Sequence, residues 1–192
     1  MPVSATDIAQ ALVRISSVNP AYDPESSGEA PVVDWLEGWG RSHDLEPVRQ
    51  PCLENRDNIN FTIRNGDGPH LLFNGHTDTV SVAGMTIDPF SGEIRDERLW
   101  GRGATDMKGP LAGMLASLLR LRERNDWQGA LTVSCVVDEE YKYRGILSLL
   151  DANDPWDFAV VGEPTNLRVV RGCKGSCRFT VHTEGRSAHS SE

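Results

Sequence analysis

Acidic and imidazole side chains recur at four places, Gly75-His76-Thr77-Asp78, Gly103-Ala104-Thr105-Asp106, Asp138-Glu139-Glu140 and Gly162-Glu163-Pro164-Thr165. Imidazole nitrogen and carboxylate oxygen are zinc donors, so in this order the segments supply nearly a full ligand set for two zinc ions. His76 and Asp78 stand two apart at the end of an extended run, which turns both side chains to one face. A metal-bound imidazole needs its second nitrogen held by an acceptor, and Asp78 can provide one. The plainer alternative is a capping Asp beside a surface His. Asp106 precedes a helical stretch, where a carboxylate either caps the helix or bridges two cations about 3.5–4 Å apart. Runs of acids often form a solvated face, but Asp138, Glu139 and Glu140 directly follow an apolar run. Adjacent residues of an extended chain diverge, so one of Glu139 and Glu140 can bind metal while the other reaches a water. Glu163 also follows an apolar run, and its plainer reading is a turn residue. Gly101-Arg102-Gly103 suggests a dinucleotide loop, but no strand leads directly into it and the remaining fingerprint glycine is missing.

These groups need elements to carry them. Ile8, Leu12 and Ile15 mark a first helix over residues 4–16, with Ser4, Thr6 or Asp7 as its cap. A second helix runs from Pro31 until Gly40 interrupts it. Ile59–Ile63 and Leu71–Phe73 read as strands joined by Asn65-Gly66-Asp67-Gly68, a turn suited to a hairpin. Leu111, Met114, Leu115, Leu118 and Leu121 predict a long amphipathic helix from Met107 to about Arg124, starting one residue after Asp106. A strand over Leu131–Val137, a short helix over Ile146–Leu150 and a strand over Phe158–Val161 continue the alternation. The expected class is therefore α/β, a mixed sheet flanked by helices, with its chemistry at one edge of the sheet. Beyond Val169, Cys177, Phe179 and Val181 alternate with Arg178, Thr180 and His182 as in a one-faced strand, so a second domain is expected to begin at 172.

Composition sets the bounds. At 192 residues the chain holds one sizeable domain and a piece of another, with 39% hydrophobic and 24% charged residues, ordinary values for a globular protein. A formal net charge of -9 argues against nucleic acid as partner. The N-terminus lacks the basic start and apolar core of a signal peptide, and no stretch is long enough to span a bilayer. A cytoplasmic protein without a membrane partner is the expectation. Four cysteines form no dense secretory framework. Cys135 reads as a small core residue. Cys173 and Cys177 would lie about 13 Å apart on an extended strand, which favours packing over metal binding.

Taken together, Phe73-Asn74-Gly75-His76-Thr77-Asp78, Leu99-Trp100-Gly101-Arg102-Gly103-Ala104-Thr105-Asp106-Met107-Lys108-Gly109, Asp138-Glu139-Glu140 and Gly162-Glu163-Pro164-Thr165 resemble a known family. It is the dinuclear-zinc group of aminoacylases, acetylornithine deacetylases, succinyl-diaminopimelate desuccinylases and glutamate carboxypeptidases. The resemblance runs from the first helix onward. It implies a zinc-exopeptidase-like catalytic domain over residues 1–171 and the start of an α+β lid or dimerisation domain over 172–192. It makes His76 and Glu163 ligands of one Zn2+, Glu140 a ligand of the other, Asp106 the bridge, Glu139 the general acid/base and Asp78 the partner of His76. Cobalt or manganese suit the same donors. Gly185-Arg186-Ser187-Ala188-His189-Ser190-Ser191 resembles the family's lid segment, whose histidine reaches a partner subunit's active site and stabilises the oxyanion, so His189 is that candidate and a homodimer is implied.

Two departures stand out. A histidine near the family's C-terminal end completes the second zinc site, and no His here takes that place, so the chain resembles an N-terminal fragment whose activity alone is in question. Tyr141-Lys142-Tyr143-Arg144-Gly145 replaces the small residue and glycine usual after the acid pair. The context of Glu163-Pro164-Thr165, Arg171-Gly172-Cys173-Lys174-Gly175 and His189 looks most like the acetylornithine deacetylase branch. The implied substrate is a small N-acyl amino acid. A carboxypeptidase or dipeptidase of the same family, acting on short peptides, is the rival, and a non-catalytic metal-binding or dimerising protein is the alternative of another class.

Overall fold

The structure is a computed structural model that describes residues 3–152, 154–175, 179–182 and 184–185. In chain order the elements are α1 (Ala5–Val13), α2 (Ala30–Ser42), β1 (Val48–Leu53), β2 (Arg56–Asn65), β3 (His70–His76), β4 (Glu93–Arg95), β5 (Arg98–Trp100), α3 (Gly109–Arg122), β6 (Gly129–Val136), α4 (Arg144–Asp151) and β7 (Phe158–Val161). The main sheet has the order β1-β2-β6-β3-β7. Its β1–β2 and β2–β6 pairs are antiparallel, and its β6–β3 and β3–β7 pairs are parallel. The sheet is mixed, as expected, and β4 and β5 form a separate two-stranded ribbon.

One side of the sheet carries most of the core. Ile59, Phe61 and Ile63 of β2 alternate with polar neighbours, as do Leu131, Val133 and Cys135 of β6, and this face packs against Leu12 of α1, Leu36 of α2 and Leu111, Leu115 and Leu118 of α3. Each fully buried leucine contributes about 1.5–3 kcal/mol. Cys135 is the core residue expected, and its burial pushes the thiol pKa up. The opposite face is covered by α4, whose Leu149 meets Leu72 and Val136.

This arrangement corrects five expectations. β2 and β3 do not form a hairpin, because β6 lies between them and pairs with both; the hairpin partner of β2 is β1, whose pattern Val-Arg-Gln-Pro-Cys-Leu carries no clear alternation. Gly40 does not interrupt α2 but lies inside it, where a Cβ would come 2.5 Å from Cε1 of Phe61. The third helix starts at Gly109, two residues later than expected, because Asp106 and Met107 hold non-helical angles in a tight turn with a cis peptide bond between them. Cys173 is exposed and so is not a packing residue, while Cys177 lies outside the described residues. Of the strand expected over 177–182, the described residues 179–182 form none.

The topology decides where chemistry can sit. β3, β6 and β7 run parallel, so their C-terminal ends share one edge. The chain leaves β3 toward α3 on one face and leaves β6 toward α4 on the other, which opens a crevice between these neighbouring strands. Open α/β sheets bind ligands at such a switch point. No helix among the described residues is long and apolar enough to cross a membrane.

The close approach at Gly40 is testable. Gly40→Val forces a branched side chain against the fully buried Phe61, and overpacking of this kind costs about 1–3 kcal/mol. Denaturant unfolding of the full-length protein should show a loss of that size, and an unchanged midpoint would contradict the packing described.

Candidate metal centre

His76 ends β3, Asp138 to Glu140 follow β6, and Glu163 follows β7, so three parallel strands deliver their functional side chains to one crevice. Asp106 arrives from the side on the tight turn before α3. Its loop is pinned from below: Met107 is fully buried, and its sulfur accepts the N–H of His76 at 3.1 Å. A Cβ on Gly75 would lie 2.7 Å from Met107 Cε and one on Gly162 2.8 Å from it, so both glycines leave room for this side chain. Lys108, also buried, donates from Nζ to the carbonyls of Leu12 (3.0 Å) and Ile15 (2.7 Å) at the C-terminus of α1, where a cation is favoured. Burial lowers its pKa to about 7. The N-cap position of α3 is Lys108, so Asp106 is not a helix cap.

The imidazole of His76 is buried at 2% exposure. Its Nδ1 lies 2.9 Å from the main-chain oxygen of Asp78 and 3.5 Å from that residue's Oδ1. A ring nitrogen facing a carbonyl must carry a hydrogen, which leaves Nε2 as the coordinating atom of the neutral ring. Nε2 lies 2.9 Å from Asp106 Oδ1, and 3.8 Å from both Glu139 Oε2 and Glu163 Oε1. The nearer acceptor from Asp78 is thus its carbonyl rather than its carboxylate. The carboxylate instead accepts the N–H groups of Glu139 (3.0 Å) and Glu140 (3.1 Å), tying the acid pair to the end of β3.

Two groups of ligand atoms result, His76 with Asp106 and Glu140, and His76 with Glu139 and Glu163, each drawn together within 4.8 Å. No second histidine joins either group among the described residues. The structure therefore brings together His76, Asp78, Asp106, Glu139, Glu140 and Glu163. His189 lies outside the described residues. Beside Asp106 and Glu140 is a hollow of about 200 Å³ lined also by Val80 and Gly101 to Thr105.

Charge is the decisive property here. Two carboxylates 4 Å apart repel by about 4 kcal/mol at an effective dielectric constant of 20. Among the described residues no Lys or Arg nitrogen lies within 4.0 Å of the carboxylates of Asp106, Glu139, Glu140 or Glu163. The cluster answers with protons. Burial lowers the His76 pKa, but hydrogen bonds to Asp106 and Asp78 and the charges of Asp78 and Glu163 outweigh it and raise the value to about 11. Burial raises the pKa of Glu139, Glu140 and Glu163, and the surrounding carboxylates raise them further against the pull of His76. Asp106, hydrogen-bonded to His76, is lowered. An imidazole with four carboxylates and no fixed cation is a donor set that fits divalent metal ions of the zinc, cobalt or manganese type.

Sequence reasoning missed the supports. Asn19, Glu29, Arg56 and Arg144 converge on Asp138, a fully buried carboxylate that accepts from Asn19 Nδ2 (3.1 Å), Arg56 Nη2 (3.1 Å) and Arg144 Nε (2.6 Å). Glu29, also fully buried, accepts from Arg56 and from the N–H of Asp138. Nothing in the spacing of these four residues links them to residue 138.

A model of peptidase family M20/M25/M40 matches residues 72–191. The chain is 38% identical over 197 residues to a succinyl-diaminopimelate desuccinylase of Rhodospirillum centenum, covering 95% of this chain and 50% of the relative. Another protein of that name, from Parvibaculum lavamentivorans, is 34% identical over 98% of this chain and 50% of its own length. The chain thus spans about half the length of the curated relatives it matches. Among solved structures it is similar in fold to an M20 family metallo-carboxypeptidase from Sulfolobus solfataricus (TM-score 0.72, 17% identity, 83% of this chain and 37% of the other). Human carnosine dipeptidase 1 (TM-score 0.68, 19%, covering 82% and 38%) and a dinuclear metal binding M20 peptidase of Bacillus subtilis (TM-score 0.56, 17%, covering 78% and 38%) share the fold as well.

The crowding of acids has a pH signature in metal-stripped protein. A raised folded pKa gives stability that is present below the unfolded value and is lost as pH rises through the folded one. His76 and the three glutamates all act in this sense, and Asp106 acts in the opposite one, losing its contribution as pH falls through its lowered value. Metal competes with the protons and binds more tightly as pH rises. The melting-temperature gap between zinc-loaded and chelator-treated full-length protein should therefore widen from about pH 5 to about pH 8. A gap independent of pH would contradict the electrostatics described.

Proposed function

The chain belongs to peptidase family M20/M25/M40, a family of metal-dependent hydrolases, and from that membership we propose that the protein it forms part of hydrolyses the amide bond of a small N-acyl amino acid. The observation that carries this reading is the gathering of ligand atoms from His76, Asp106, Glu139, Glu140 and Glu163 at one crevice. In this reading His76 and Glu163 would hold one Zn2+, Glu140 would hold the other, and Asp106 would serve both. Bound zinc supplies Lewis acidity that polarises a substrate carbonyl and makes a water acidic at neutral pH. The chain's own part is to hold and move the proton. Glu139, whose pKa is raised by burial and by neighbouring carboxylates, takes a proton at its carboxylate and delivers it to the leaving amine. The Glu139 N–H on Asp78 fixes the backbone from which that carboxylate reaches the crevice. The hollow beside Asp106 and Glu140 gives the substrate room at the same edge.

His189 is proposed to serve the oxyanion in a partner subunit of a full-length cytoplasmic homodimer, with the lid or dimerisation domain beginning at 172. The motif context favours N-acetylornithine as substrate. The curated relatives carry the desuccinylase name, which puts N-succinyl-diaminopimelate first in a substrate panel, with N-acetylornithine second and dipeptides third.

The test uses the zinc-loaded full-length protein. Glu139→Gln should retain both zinc ions and lose about 10²–10⁴-fold in kcat, the range for a general acid/base. Asp106→Ala should lose metal. Near-normal turnover by Glu139→Gln overturns the assignment of the proton carrier, and absence of turnover on every member of the panel overturns the hydrolase reading.

A further inference from the structure

Asn19 is fully buried on the loop between α1 and α2, yet it reaches the crevice. Residues 17–19 run beside residues 77–79, with Val18 bridging Thr79 in parallel. The Thr79 N–H donates to Ser17 O (3.0 Å) and the Asn19 N–H to Thr79 O (2.9 Å). The side chain then makes three hydrogen bonds. Oδ1 accepts the N–H of Ala21 at 3.1 Å, while Nδ2 donates to Asp78 Oδ2 at 2.7 Å and to Asp138 Oδ1 at 3.1 Å. The partners fix the orientation of the amide, since a flipped group would aim its oxygen at two carboxylates and its NH2 at an N–H donor.

Two buried carboxylates that converge on one nitrogen need a donor with two hydrogens. A hydroxyl has only one, and a carboxylate in place of the amide would ionise against both neighbours. The two acids it joins belong to separate anchoring systems. Asp78 holds the N–H groups of Glu139 and Glu140 and sits two residues beyond His76. Asp138 is held by Arg56 and Arg144, with its own N–H on Glu29. We infer that Asn19 is a positioning residue for the proposed reaction, its amide clasping Asp78 to Asp138 and so setting the spacing between His76 and the Glu139–Glu140 pair. Asn19 is absent from the lining of the hollow and acts through those residues alone. A misplacement of about 1 Å at a reacting centre costs about 10²-fold in rate.

This inference rests on the hydrolase reading, and its test separates the two. Full-length wild type, Asn19→Asp and Asn19→Ala are compared by zinc competition against a chromogenic chelator, by the visible spectrum of the Co2+-substituted protein, and by kcat and KM on the best substrate of the panel. Asn19→Asp keeps the shape but removes both donors. The expected result is a fall in kcat of about 10²-fold and a weakening of zinc affinity of about 10-fold or more. The cobalt spectrum shifts and KM stays within about threefold. Asn19→Ala, which adds no charge, is expected to be impaired less than Asn19→Asp. If wild type binds zinc and turns over while Asn19→Asp matches it, the role of Asn19 is overturned and the hydrolase reading stands. If both variants lose the folded state, Asn19 belongs to the core and the inference is overturned as well. A wild type that binds no divalent ion overturns both.

Discussion

Carboxylates crowded around one buried imidazole repel one another, and the architecture near His76 follows from how that repulsion is contained. Asp106, Glu139, Glu140 and Glu163 bring oxygen atoms into the range of a single ring nitrogen or of one another. Asp106 and Glu163 keep part of their side chains in water, which screens them, and positive charge in their midst relieves the repulsion that remains. The raised pKa of His76 is the metal-free form of that relief. Divalent ions supply it more fully, because they neutralise the acids that a single imidazole proton cannot.

Containment also needs rigid supports, since acids free to move would swing apart into water. Parallel strands β3, β6 and β7 fix three of the four segments at one edge of the sheet. Met107 fills the space beneath them, and the bare Cα atoms of Gly75 and Gly162 let it sit against two strand ends at once. Lys108 ties the Asp106 turn to the Leu12 carbonyl in the last turn of α1 and to the Ile15 carbonyl just beyond it. The Asp78 carboxylate organises the backbone of the acid pair, and Arg56 and Arg144 compensate the buried Asp138 behind it. The arginines that compensate Asp138 thus stand behind the crevice, while Arg102 lines the hollow beside Asp106 and Glu140.

The candidate site was more legible in the sequence than the sheet that carries it. His76, the acids after β6 and Glu163 each follow an apolar run, and strand ends on one edge need no knowledge of strand order to be recognised. Strand order itself was hidden. Asn65-Gly66-Asp67-Gly68 has hairpin chemistry, yet β6 inserts between β2 and β3, and the preference of one turn cannot foretell a pairing made by residues 129–136. Gly40 looked like a helix end because its local propensity is poor, while its place is set by contact with Phe61 from a distant strand. Asn19 and Glu29 were invisible for a related reason: each is an ordinary polar residue in a loop, and each has a partner in Asp138, which stands 119 positions from Asn19 and 109 from Glu29.

Anomalous diffraction at the zinc edge from crystals of the zinc-loaded full-length protein tests the central claim most directly. The account predicts two peaks about 3.5–4 Å apart, both within about 2.0–2.2 Å of an Asp106 oxygen. One peak should be shared with His76 and Glu163, and the other with Glu140. A single peak, or peaks remote from Asp106, would contradict the proposal that these acids converge in order to hold a pair of cations.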